Sequence, residues 1–158
     1  MRTKKAQVRE VEKDTKYGSV LVQNVINRSM KDGKKSVAQK QVYEALILVE
    51  KETKHKALEV LEEAITKIQP QMEVRSRRVG GASYQVPMPV RGRRANSLSV
   101  RWLVTEANKR PNKQYHSYAE KLAAEMLDAL TEQCGAIAKR NASHRMAEAN
   151  KAFSHFRW

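Results

Sequence analysis

The chain has 158 residues, with 31 Lys+Arg against 17 Asp+Glu, a formal charge of +14, a pI near 10.1 and 6% aromatic residues. That length suits a single domain, and self-repulsion of this size points to a polyanionic partner. A lone cysteine, Cys134, excludes an internal disulfide and a cysteine-cluster metal site, and apolar runs as short as "ALILVE" at 45–50 exclude a bilayer span.

Residues 1–18 read as an extended, basic N-terminal arm ending in the turn-like "KYGS"; the start has no apolar stretch that would make it a secretory signal. From 19 to 158 the pattern is one helical domain. Ser19 is placed to cap a helix running to Met30, with Leu21, Val22, Val25 and Ile26 on its buried side. "KDGKKS" at 31–36 reads as a basic turn. A second helix follows with Ala38, Val42, Ala45, Leu46 and Val49 on one side, and "ETKHK" ends it. A third helix carries Leu58, Leu61, Ile65 and Ile68 on one stripe until Pro70 stops it.

The period then changes from near four to two. Tyr84, Val86, Met88 and Val90 alternate with Ser83, Gln85, Pro87 and Pro89, which predicts a β-hairpin over about 72–90 with its turn at Gly80 and Gly81. Pro87 and Pro89 put both missing N–H groups on one strand edge, where they would bar a further strand. A two-stranded ribbon is marginal in water, so it is expected to lean on the helices at its base and to gain further order from a partner. Val100, Leu103, Val104 and Ala107 mark a fourth helix closed off by Pro111. Ala119, Leu122, Ala123, Met126, Leu127 and Leu130 mark a fifth. A last helix is expected from about Gln133 to Phe153, with Arg140, His144, Ala147 and Lys151 along one side and Lys139 and Arg145 nearby. The fold class is therefore mainly α, a bundle of about six helices with one protruding two-stranded β-hairpin arm.

No catalytic set emerges. "GKKS" at 33–36 resembles the end of a phosphate-binding loop, but Arg28 stands where its first glycine belongs and a second lysine replaces Ser/Thr. The four histidines lack zinc-ligand spacing, and Glu59, Glu62 and Glu63 read as a solvated helix face. No cofactor, metal or small-molecule substrate is expected, and no segment has the bulky apolar face of a membrane-surface helix.

The informative stretch is "VRSRRVGGASYQVPMPVRGRR", from Val74 to Arg94. Continued to Arg101, it holds seven arginines and no acid. Arginine forks bind phosphate oxygens in pairs and stack on bases. Together with the basic groups at 31–35 and 139–151, they make several separate surfaces, which suit a folded RNA better than a uniform duplex.

"EVRSRRVGGASYQVPMPV", "RWLV", "HRMAEANKAF" and the terminal "HFRW", with "KYGS" and "DGKKS", resemble small-subunit ribosomal protein seven of the bacterial type over nearly the whole chain. The resemblance implies a helical body with a hairpin arm, and a primary binder of the 3′ major domain of small-subunit rRNA that nucleates assembly of the subunit head. It also implies a place near the mRNA exit and E-site tRNA, contact with small-subunit ribosomal protein eleven, and residence in a ribosome of the cytoplasm or an organelle. The rRNA-binding residues it implies are Lys34 and Lys35 in the basic loop and Arg75, Arg77 and Arg78 in the hairpin. Arg91, Arg94 and Arg101 lead into and along the fourth helix, and Lys139, Arg140, His144, Arg145 and Lys151 belong to the last one. Arg77, Arg78, Val79, Gly80, Gly81 and Ala82 at the hairpin tip, with Arg157 and Trp158 in the tail, are the residues expected near tRNA or mRNA. Two positions depart from the family pattern: Thr15 where proline often precedes "KYGS", and Tyr118 where methionine is expected. Tyr118 either packs on the start of the fifth helix or stacks on RNA. The rival readings are a DNA-binding helical regulator, which needs one compact recognition helix, and an RNA-processing enzyme, which needs an acid/base or metal set.

Overall fold

The computed structural model describes residues 9–156. Among them are α1 (Val20–Ser29), α2 (Lys35–Thr53), α3 (Ala57–Ile68), β1 (Met72–Val79), β2 (Ala82–Pro89), α4 (Arg93–Lys109), α5 (Tyr118–Leu130), α6 (Gly135–Ala149) and a 3-10 helix (Lys151–Phe156). The sequence expectations hold for the order and type of these elements. None of the helices described is long and apolar enough to cross a membrane.

α5 is the central strut, packed against α2, α3, α4 and α6. Its apolar stripe explains this: Leu122 and Ala129 are 0% exposed and Met126 1%. Truncating a side chain such as Leu122 to Ala in so closed a site typically costs about 2–5 kcal/mol. The helix starts where it does because Ser117 and Glu120 form a capping box, each side chain accepting the other's backbone N–H. Ser19 caps α1 as expected, its hydroxyl accepting the Leu21 N–H at 3.2 Å. The core expected on α2 is buried throughout, whereas Leu21, Leu58, Leu127 and Leu130 are only partly covered.

The basic turn is shorter than expected, since Lys35 and Ser36 already belong to α2. The last helix also ends early. Asn150 caps it, its side-chain amide donating to the Met146 carbonyl at 2.8 Å, and the chain continues as the 3-10 helix, so Lys151 leaves the stripe predicted for it. Residues 1–8 of the expected arm lie outside the described residues. Residues 9–18 have no helix or strand, yet they are tied down by Asp14, which is 3% exposed. Its carboxylate accepts the N–H groups of Lys16 and Tyr17 and the Tyr43 hydroxyl, the last at 2.7 Å.

The hairpin has Val79 opposite Ala82 and Met72 opposite Pro89. Gly80 and Gly81 both have positive φ (56° and 92°), which a two-residue turn between twisted strands demands. Val90 N–H donates to the Gln71 carbonyl at 2.8 Å. Counting back by the antiparallel alternation, Pro87 and Pro89 occupy non-hydrogen-bonded pairs, so their missing donors lie on the outer edge. The support is intramolecular at both ends. Ser143 of α6 donates to the Met72 carbonyl at 3.0 Å. Tyr84 on β2 packs on Phe153 and Phe156 of the 3-10 helix, with ring centroids 5.4 and 4.9 Å away.

Candidate nucleic-acid interface

The arginine run is less naked than its sequence suggests. Glu73 lies one residue outside it and two before Arg75, so on a strand the two side chains share a face. Its carboxylate, 11% exposed, pairs with Arg75 and with Arg94 at the start of α4, the latter at 3.1 Å. Burial alone would push Glu73 up, but hydrogen bonds from Arg75 and Arg94 outweigh it and hold the carboxyl below its usual range. This triad bolts the hairpin base to α4. Arg78, Arg91 and Arg101 are exposed and meet no carboxylate within ion-pair distance among the described residues. Arg77 is half-buried. At the tip Val79 is half-covered, and Gly80, Gly81 and Ala82 are open to solvent.

The α1–α2 turn projects its lysines because two successive residues take left-handed backbone, Asp32 at φ 52° and Gly33 at φ 74°. Lys34 N–H then closes onto the Lys31 carbonyl at 2.9 Å. Lys34 and Lys35 are exposed and have no carboxylate partner among the described residues.

α6 divides its basic residues differently. Lys139 pairs with Glu106 Oε1 at 2.8 Å, and Lys109 meets the same oxygen at 2.9 Å. Burial would raise the Glu106 pKa, yet hydrogen bonds from these two lysines lower it. Arg140 donates to the Lys67 carbonyl. His144 Nε2 accepts the Gln71 N–H at 2.9 Å, and burial, aided by the Arg140 charge, pushes its pKa down. At neutral pH His144 is therefore a pin at the hairpin base, not a cation. Arg145 and Lys151 are exposed. Arg157 and Trp158 lie outside the described residues.

Tyr118 is packed. Its hydroxyl pairs with Ser29 Oγ at 2.7 Å, and burial raises its pKa against the lowering effect of that bond. One flank of the ring lines a cleft beside the lysine turn.

Sequence reasoning missed three features. A groove of about 800 Å³ between residues 9–11, α1 and α4 is lined by Arg9, Arg28 and Arg93 with Asn24, Asn27 and Asn96, and Glu10 is its single acid. Arg9 and Arg28 stand far in the sequence from the arginine run that holds Arg93, so only folding gathers the three. Asp14 offered one signal, preceding "TKYG" as an Asx turn does. The third is the buried network of Arg110 and Glu125. Glu125, 2% exposed, pairs with Arg110 at 2.7 Å and accepts the Ala136 N–H at the start of α6 at 3.1 Å. Arg110 also pairs with Asp128. Burial disfavours its charge, but hydrogen bonds to Asp128 and Glu125 win and raise its pKa. Among the described residues no group of three or more His, Cys, Asp or Glu could hold a metal ion.

The arrangement suits phosphate recognition from several directions: a lysine turn, an arginine ribbon, an arginine groove and the exposed cations near the C-terminus. Residues 1–151 match the family described as Ribosomal protein S7p/S5e. The chain is 51% identical over 154 residues to small ribosomal subunit protein uS7 of Dichelobacter nodosus, covering 98% of this chain and 97% of the relative. It is 53% identical over 150 residues to the protein of the same name from Rubrobacter xylanophilus, covering 95% and 94%. To that of Xanthobacter autotrophicus it is 50% identical over 157 residues, covering 99% of each.

Proposed function

Since the chain belongs to the Ribosomal protein S7p/S5e family and is a small-subunit ribosomal protein, not an enzyme, we propose that it is a primary binder of the 3′ major domain of small-subunit rRNA. In this reading it nucleates assembly of the subunit head, lies near the mRNA exit and E-site tRNA, and touches small-subunit ribosomal protein eleven. The observation that carries the reading is the dispersal of exposed, unneutralised cations. Among the described residues Lys35, Arg78, Arg101, Arg145 and Lys151 stand on five different elements, and Lys34 and Arg91 in the connections before α2 and α4. A single-groove DNA reader would concentrate them on one helix, whereas a folded RNA presents phosphates on several sides.

The hairpin tip projects past the Glu73 triad and is assigned to tRNA or mRNA, while the turn at 31–35 and the groove at Arg9, Arg28 and Arg93 are assigned to rRNA. The test is a competition. Purified chain is offered a transcript of the 3′ major domain against an equal-length transcript of the 5′ domain, and tagged chain is followed through sedimentation of a lysate. Selective retention of the 3′ transcript and comigration with small subunits are expected. Equal binding to both transcripts would refute the domain assignment, and sedimentation away from ribosomes would refute the whole reading.

A further inference from the structure

Beside the lysine turn is a cleft of about 310 Å³, formed where the α1–α2 turn, the first turns of α2, the end of α4 and the start of α5 converge. Its apolar wall is Val37, Ala38 and the ring of Tyr118. Val37 is 56% exposed, although it stands between two basic groups and a polar rim. An isolated exposed valine needs no explanation; one that lines a concave site together with a tyrosine does.

The polar lining is largely committed, which makes the cleft rigid. Tyr118 is tied to Ser29 at 2.7 Å. Gln41 accepts the Ala119 N–H through Oε1 and donates to Glu44 through Nε2, both at 3.1 Å. Asn108 donates its Nδ2 to the Val104 carbonyl at 2.9 Å. That bond fixes the amide and leaves Oδ1 as an acceptor without a protein partner among the described residues. Lys31 and Lys34 are exposed at the mouth, and Asp32 is the one acid in the lining. The cleft's volume lies at the low end of the roughly 300–1,000 Å³ usual for small-molecule sites, enough for one ring system and not for an oligomer.

Resting on the RNA-binding reading above, we propose that this cleft receives a single unstacked nucleobase of the bound RNA. Its ring packs on Val37, Ala38 and Tyr118, and its flanking phosphates meet Lys31 and Lys34. Proteins that read single-stranded RNA use this combination of an aromatic or apolar wall, a base-edge hydrogen bond and cations for the backbone. The acceptor at Asn108 Oδ1 is available to a base-edge N–H, whether an exocyclic amino group of adenine, cytosine or guanine or the N3–H of uracil. Tyr118 thus serves both alternatives left open by the sequence: it packs through its hydroxyl and offers its flank.

The experiment uses the full chain. Val37 methyl and Tyr118 ring signals are followed by NMR with each of the four nucleoside 5′-monophosphates at about 10 mM, a range suited to millimolar sites. Shifts at Val37 and Tyr118 with these nucleotides are expected, and Asn108→Ala should weaken them. Val37→Ser, neutral in charge and at an exposed site, should weaken binding to the 3′ major domain transcript about five- to tenfold without moving the melting temperature. If wild type binds the transcript but the Val37 and Tyr118 signals stay fixed and Val37→Ser binds as wild type, the nucleobase site is overturned and the RNA reading survives. If wild type fails to bind the transcript, the reading beneath it falls instead.

Discussion

In the helical body Leu122 and Leu103 are fully buried, and several of its charges are paired within the chain: Arg110 with Glu125 and Asp128, Lys139 with Glu106. Along the hairpin the balance reverses beyond its base. Glu73 ties Arg75 and Arg94 to α4, but Arg78 and the glycine turn stand in solvent with nothing acidic near them. The difference teaches that a net charge of +14 is not one pool. Some cations are structural and leave the interface poorer if counted in it, whereas others are left unneutralised and define it.

The largest effect belongs to the body's buried pair. Arg110→Ala strands the buried Glu125 carboxylate and should cost about 3–5 kcal/mol, more than Glu125→Ala, which leaves Arg110 paired with Asp128. Urea titration should register this as an earlier midpoint. A loss well below about 1 kcal/mol would show that water reaches the pair and that the body's charges are not truly internal.

The double change Lys34→Ala/Lys35→Ala should do the opposite. Thermal stability stays put, and the salt dependence of RNA affinity becomes shallower by about 1–2 units of slope. Lys139→Ala should lower stability and leave the slope almost unchanged. If Lys139→Ala and the turn variant changed the slope equally, the division into two classes of cation would be wrong.

A smaller effect is expected at the hairpin's aromatic brace. Tyr84→Ala removes two ring contacts, each worth about 0.5–1.5 kcal/mol beyond area burial, and should raise amide exchange in β1 and β2 but not in α5. Replacing residues 77–82 by a two-residue turn should leave the body's melting temperature unchanged. Global unfolding in either variant would mean that ribbon and body form one cooperative unit.

The mildest signature is in pH. His144 is held neutral, its folded pKa depressed, so its contribution is whole above the ordinary histidine value near 6.5 and declines as the unfolded chain takes up a proton below it. Glu73 and Glu106, also depressed, contribute above their ordinary value near 4.5 and lose that contribution as pH falls through their lower folded values. Urea midpoints should therefore slip first as pH falls below about 6.5 and again below about 4.5. His144→Gln should flatten only the first decline.

The architecture was legible because its signals are local and repeated. α5 shows an uninterrupted stripe, and the change of period at Tyr84, Val86, Met88 and Val90 announces a strand. The stop at Asn150 was not legible, since the sequence pattern runs on past it and only the amide bond to Met146 ends α6. At the interface, residue type marked the cations but not their partners. Lys139, Arg140 and His144 looked like one RNA-facing row, yet each meets a group from α4, from the end of α3 or from the chain entering β1. Those contacts span more than thirty residues and carry no local signature. Arg9 and Arg28 were overlooked for the same reason, as was their meeting with Arg93.

The account stands most directly on the salt dependence of binding to the 3′ major domain transcript. With about 8 phosphates engaged by the exposed cations, log affinity should fall against log salt with a slope of about −6 to −7. A nearly flat dependence would contradict it, because no surface built from unneutralised lysine and arginine could bind RNA without releasing counterions.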